Sequence, residues 1–182
     1  MKKKIFYVII STFTILSGWF LINSYFESKK DPPKSMLQMV MDEPNSPPCL
    51  KTYYLIEKYS KRYKIPKHIA YSVAYKETNY KGPFDWDYNP FVSSSSGAHG
   101  AMQIMLSTAN FVNDTVTKKS FLKRNLEYNI STSMKLLRNL HNQYKDWGKA
   151  CGCYNTGRPI INDYARFCIK NKKYKKRWIN YD

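Results

Sequence analysis

Ser93-Ser94-Ser95-Ser96-Gly97-Ala98-His99-Gly100-Ala101-Met102-Gln103-Ile104-Met105 is the stretch on which the reading of this chain turns. Two glycines three residues apart, after a run of serines, mark a backbone that turns tightly and leaves room for something close by. Met102-Gln103-Ile104-Met105 then sets one amide side chain among apolar ones. Gln103 can both donate and accept hydrogen bonds, which suits recognition of a sugar or an amide. A glycine turn leading into an apolar helix also reads as plain structure, so the stretch takes its meaning from what flanks it.

Upstream, residues 66–77 read Pro-Lys-His-Ile-Ala-Tyr-Ser-Val-Ala-Tyr-Lys-Glu. Pro66 fits the first helical position, and Ile69, Val73 and Ala70, Ala74 repeat at helical spacing. Glu77 follows Val73 by four and Ala74 by three, which puts it on the apolar face. Burial there raises a carboxyl pKa, the state a general acid needs near neutral pH. The alternative is a carboxyl at a frayed helix end that reaches water. Downstream, residues 150–157 read Ala-Cys-Gly-Cys-Tyr-Asn-Thr-Gly.

Together the three stretches resemble the catalytic domain of the soluble lytic transglycosylases, within the lysozyme-like superfamily. That family's pattern is Glu-Ser at a helix end, then Gly-Ala-x-Gly-Leu-Met-Gln-Ile-Met-Pro-x-Thr-Ala, then Ala-Tyr-Asn-x-Gly. The matching residues here are Glu77-Thr78, then the run from Gly97 through Gln103 to Ala109, then Cys153-Tyr154-Asn155-Thr156-Gly157. Order and approximate spacing agree over about residues 49–167. The chain departs from the pattern at Thr78 for serine, Ala101 for leucine, Leu106 for proline and Cys153 for alanine. Its loop at 79–90 is also longer than in the shortest members.

The resemblance implies an all-α, lysozyme-like fold with at most a small hairpin, and a peptidoglycan lytic transglycosylase activity. It makes Glu77 the catalytic acid and then base, protonating the glycosidic oxygen between N-acetylmuramic acid and N-acetylglucosamine. The substrate's acetamido group assists and its C6 hydroxyl then attacks, giving a 1,6-anhydro sugar. Tyr154 would hold Glu77 through its hydroxyl. Gln103 and Asn155 would orient the sugar amide, with Met102 beside them and Ser94 or Ser96 lining the cleft, or Ser93 if the loop is shifted. No metal or organic cofactor is called for. A hydrolytic muramidase of the goose-type lysozyme kind would need a second acid. Asp85 and Asp87 are the nearest in sequence, and both read equally as turn residues. A reading from another class is a non-catalytic scaffold that holds peptidoglycan for an envelope-spanning assembly; Glu77, Gln103 and Tyr154 together speak against it.

Around this domain, the chain opens with a basic end, residues 1–4, and continues at 5–26 with 22 residues free of charge. At about 1.5 Å per residue that run spans a bilayer core. It is longer than a signal-peptide core and carries no Ala-x-Ala site, so an uncleaved signal anchor is expected, with a cleaved signal as the alternative. Residues 27–48, with Pro32-Pro33, Pro44 and Pro47-Pro48, read as an extended tether. Residues 49–182 form the catalytic domain. Expected partners are peptidoglycan glycan strands and the inner membrane through the N-terminal helix. The expected location is a single-pass membrane protein with its catalytic domain on the periplasm or cell-wall side.

The formal net charge is +17. A basic surface calls for a polyanion. With an anchor and paired cysteines, anionic wall polymers or a secretion, conjugation or phage assembly fit better than nucleic acid. Lys170, Lys172, Lys173, Lys175, Lys176 and Arg177, with Tyr174 and Trp178, form a basic aromatic tail that reads equally as a solvated end. The four cysteines, Cys49, Cys151, Cys153 and Cys168, are disulfide candidates allowing up to two bonds. Cys151 and Cys153 are too close to pair with each other, so each is expected to seek Cys49 or Cys168. His68, His99 and His141 are too scattered for a metal ligand set.

Periodicity predicts helices at 53–63, 66–78, 108–113, from 126 to about 144, 146–154 and 159–169. Ser107 and Asn125 are expected as caps, and a hairpin is expected near 85–94. Aromatic residues make up 16% of the chain. They serve as core or as sugar platforms, and Trp86 is the best candidate for a cleft wall.

Overall fold

The computed structural model describes residues 36–171. The run read as a membrane anchor and most of the basic aromatic tail lie outside the described residues. Among the described residues, no helix is long and apolar enough to cross a membrane.

Helix α1, Met36–Asp42, forms inside the stretch expected to be an extended tether. It occupies the proline-free gap between Pro33 and Pro44, and Met41 packs against the core. Helix α2, Pro48–Arg62, starts earlier than its apolar repeat predicts, because Pro48 suits the first turn. Its end is held from a distance: Arg138 donates to the carbonyl of Tyr63, at 2.5 Å, and to that of Lys64. Helix α3, Lys67–Thr78, follows Pro66, which caps it rather than opening it, and stops where Asn79 turns left-handed at φ 57°.

A two-stranded antiparallel ribbon follows, β1 Ala98–His99 against β2 Ile104–Met105, extended by a bridge from Ser93 to His99. The hairpin therefore lies beyond the predicted 85–94 stretch. Gly97, Gly100 and Gln103 supply the positive φ values a sharp reversal requires, whereas 85–88 closes on itself as a tight turn. Helix α4, Leu106–Asn113, takes Met105 as its cap. Ser107 sits inside the first turn and caps nothing.

Helix α5, Lys119–Arg124, leads into α6, Leu126–Tyr144, and the chain closes with α7, Trp147–Thr156, and α8, Asp163–Lys170. Asn125, Asp146 and Asn162 each accept a backbone N–H at the start of the last three helices, at 2.8, 2.7 and 2.9 Å. α8 begins later than predicted. The intervening backbone is taken up by a close approach in which the Ile160 carbonyl lies against Gly152; a Cβ there would stand 1.6 Å from the oxygen.

The long helix α6 is the centre of the domain, packing against α2, α4, α5 and α7, while α8 closes over α3 and α7. Leu55, Ile56, Ile69, Val73, Ile130, Met134 and Leu137 are fully buried along these contacts. A smaller cluster of Ile104, Ala109 and Leu122 lies under the ribbon. Beside the core runs a row of tyrosines. Tyr53 stacks on Tyr71 and Tyr71 on Tyr80, at 6.2 and 6.3 Å between centroids, and Tyr80 tilts against Tyr88 at 4.8 Å. Tyr80 also donates to the Cys49 carbonyl, 2.9 Å away. These contacts fix both ends of the long loop after α3.

One buried amide fixes the ribbon to the helical core. Asn129 of α6 is wholly buried. Its Nδ2 donates to the carbonyls of His99 and Leu122, at 2.8 and 3.2 Å, and its Oδ1 accepts the N–H of Met102 at 2.9 Å. Gly100 has φ +77°, and a Cβ on it would stand 2.3 Å from Asn129 Nδ2. Gly157 shares the left-handed conformation, at φ +74°, but faces open space. Gly100→Ala should therefore lose about 2–5 kcal/mol of stability from combined strain and a disrupted buried amide. Gly157→Ala should lose only about 1 kcal/mol. Urea melts of the two variants check the difference; equal losses would mean the amide tolerates displacement.

Candidate active site

Glu77 sits in the last turn of α3, half-buried. Burial pushes its carboxyl up to about 7, against the opposing pull of a hydrogen bond from Tyr164 and the charge of Lys76. The Tyr164 hydroxyl donates to Glu77 Oε1 at 2.5 Å. Tyr164 lies on α8, which packs on α3, so the acid is held by a residue 87 positions away in the chain. At neutral pH the group is poised between its two protonation states, as an acid that later serves as base requires.

The next residue ties the helix end to the ribbon. Thr78 Oγ1 stands 2.8 Å from the Ala101 carbonyl and 2.9 Å from the Tyr88 hydroxyl. Gln103 follows two residues later, in a left-handed conformation at φ 46°. Its Nε2 donates to Gly100 O at 2.9 Å, with Val92 O at 3.4 Å. Two carbonyls on one side fix which end of the amide carries hydrogen, and this turns Oε1 away from them.

Two readings from the sequence are corrected here. Tyr154 does not hold Glu77 by a hydrogen bond. Its hydroxyl donates instead to the Met102 carbonyl at 2.7 Å, although the Glu77 charge still acts on its phenol. Met102 offers no side-chain surface to a substrate: it is wholly buried, its N–H taken by Asn129 and its carbonyl by Tyr154. The left-handed turn at Gly100 and Gln103 separates the two neighbouring side chains, Met102 wholly buried and Gln103 half-exposed.

The other named residues divide. Asn155 is exposed at the end of α7, its Oδ1 accepting from Asn162 at 3.0 Å. Ser93 Oγ pairs with His99 Nδ1 at 2.8 Å and Ser94 Oγ accepts the Ala98 N–H at 3.0 Å, so both serve the turn. Ser96 is exposed beside them. Asp85 accepts the Lys81 N–H at 3.3 Å and serves its own loop, and Asp87 is exposed. Among the described residues, neither is paired with Glu77. Trp86 is exposed and meets the edge of Phe84 at 6.1 Å. All four cysteines carry free thiols in the structure.

Sequence reasoning missed Tyr164 and Asn129. Asn129 could have been noticed as a polar residue on the buried stripe of α6, between Leu126, Ile130 and Ser133. Tyr164 leaves no local signal, because its partner is on another helix.

The transglycosylase SLT domain family matches residues 54–178, and the chain belongs to that family. Among solved structures, a complex of the 70-kDa soluble lytic transglycosylase with bulgecin A is similar at 24% identity and a TM-score of 0.48. The alignment covers 64% of this chain and 18% of that one, so this chain corresponds to a small part of the larger protein. A comparison with curated proteins finds no match.

Two outcomes follow from the balance at Glu77. Tyr164→Phe removes the donor that favours the carboxylate, so the Glu77 pKa should rise above 7 by about one to two units. A carbon-13 NMR titration of the glutamate carboxyls reads this directly. Glu77 is harder to ionise folded than unfolded, so its contribution to stability is present below the ordinary glutamate range and lost as pH rises through 7. Glu77→Gln should therefore melt higher than the parent at pH 8, by on the order of 1–3 kcal/mol, with the gap closing toward pH 4. A constant gap across that range would show that the carboxyl is not desolvated.

Proposed function

We propose that this chain is a peptidoglycan lytic transglycosylase that cleaves the β-1,4 bond between N-acetylmuramic acid and N-acetylglucosamine and leaves a 1,6-anhydro end. The observation that carries the reading is the Glu77 carboxyl, pushed up to about 7 by burial and paired with Tyr164 rather than with a second acid. Protonated, Glu77 gives its proton to the glycosidic oxygen. As carboxylate, it takes the proton of the C6 hydroxyl as that oxygen closes on the anomeric carbon, so no water is consumed. Tyr164 steadies the carboxylate stage by donating to it, and burial favours the acid stage.

Gln103 presents its Oε1 to the acetamido N–H of the sugar, its Nε2 being engaged by Gly100 O. Asn155 and Ser96, both exposed, complete the rim. Tyr154 acts through the backbone: by holding the Met102 carbonyl it sets the position of Gln103. A retaining or inverting hydrolase needs a second carboxylate opposite the acid. Asp85 is engaged by its own loop, which supports the transglycosylase over the muramidase.

The same reading places the domain outside the cytoplasm, tethered by the uncharged run at 5–26, with its excess of lysine and arginine turned to anionic wall polymers. Local opening of the wall for an envelope-spanning assembly is the role such a tethered, small glycan-cleaving domain suits.

Mass spectrometry of soluble products from purified peptidoglycan tests the proposal. The full chain should release anhydro-muropeptides, and Glu77→Gln should reduce release by at least about a hundredfold, in keeping with loss of a general acid. Reducing-end products instead of anhydro ones would replace the transglycosylase with a muramidase. Unchanged release from Glu77→Gln would remove Glu77 from the chemistry.

A further inference from the structure

The four thiols fall into three separate surroundings. Cys49, in the first turn of α2, is wholly buried near Tyr80 and Tyr88, with Asp85 close enough to act on it. Cys153 is half-buried and faces the Tyr144 hydroxyl at 4.0 Å. Cys151 and Cys168 are wholly buried and face one another within hydrogen-bonding reach. They lie on α7 and α8, which pack together, in the same core cluster. The close approach of Ile160 O to Gly152, next to Cys151, lays the segment leading into α8 directly on α7.

We infer that Cys151 and Cys168 form a single disulfide joining α7 to α8, while Cys49 and Cys153 remain thiols. This replaces the expectation that Cys151 and Cys153 each reach for a distant cysteine. Helical geometry sends them apart: two positions along α7 is about 200° of rotation, so only one of them can face α8. The bond forms by exchange. One thiolate attacks an oxidised dithiol carrier or glutathione disulfide, and the second displaces the carrier from the mixed disulfide. Two protons and two electrons leave the protein, and the carrier's disulfide becomes two thiols. Once α8 has docked, the Cys168 thiol is hard to ionise, its acidity lowered by Cys151 and by burial. Oxidation therefore belongs to the folding chain, before the helices close.

The cross-link has a consequence at the acid. Tyr164 precedes Cys168 by four residues on α8, on the same helix face. Glu77 lies close enough to Cys168 to act on its thiol. A bond from Cys168 to Cys151 pins the helix that carries the donor to Glu77.

Alkylation of the full chain, refolded in an oxidising glutathione buffer and denatured without reductant, tests this pairing and is blind to glycan cleavage. Two labels are expected, on Cys49 and Cys153, rising to four after reduction, with one non-reduced peptide pair joining Cys151 to Cys168. The oxidised protein should melt about 10 °C above the reduced one, and this difference should vanish in the Cys151→Ala/Cys168→Ala variant. Four labels before reduction, no label at all, or any cross-linked peptide containing Cys49 or Cys153 would overturn the pairing.

Discussion

Asn129 satisfies three backbone groups at once with one buried amide, and the ribbon depends on it. A loop that reverses through Gly100 and Gln103 leaves carbonyls and N–H groups facing inward, where water cannot reach them. The amide meets His99, Met102 and Leu122 from the side of the long helix, so the ribbon, α5 and α6 are joined at one point. Thr78 and Tyr154 then approach the neighbouring carbonyls of Ala101 and Met102 from α3 and α7. Four segments converge on a few consecutive peptide groups. The side chain that emerges from this convergence is Gln103, held by a backbone that every neighbour helps to fix.

Against that rigid frame the acid is balanced by opposing effects. Loss of hydration favours the neutral carboxyl, while the Tyr164 hydroxyl and Lys76 favour the charged one. Desolvation wins by enough to bring the group near neutrality. The same burial raises the Tyr164 phenol well above its ordinary range, so it remains a donor throughout. A donor that never ionises is what a carboxyl that changes state requires beside it.

The sequence made the helices legible wherever apolar residues repeat at helical spacing, most fully where a capping residue precedes them, as at Asn125. Glu77 could be read because it falls in the same repeat as Val73 and Ala74. What could not be read depends on direction rather than on residue type. Met102 and Gln103 are adjacent in an unbroken motif, yet a left-handed backbone buries one and leaves the other half-exposed. Tyr154 and Tyr164 are both tyrosines on helices near the acid; which hydroxyl reaches it is decided by how α7 and α8 sit on α3. Ser107 looks like a cap in sequence, but the ribbon ends one residue earlier than that requires and the helix begins at Leu106. Pro159 looks like a helix start, but its neighbour Ile160 is needed against Gly152.

The row of tyrosines beside the core has a bearing on how such a domain changes over generations. Tyr80 and Tyr88 secure the two ends of the loop that follows the acid, one through the Cys49 carbonyl and one through Thr78. Between these moorings Phe84, Trp86 and Asp87 project into solvent. Lengthening or rewriting the span between the moorings leaves the position of Glu77 undisturbed. The segment beside Glu77 is thus free to diversify while the backbone on either side of it stays fixed, an arrangement in which surface and frame can evolve at different speeds.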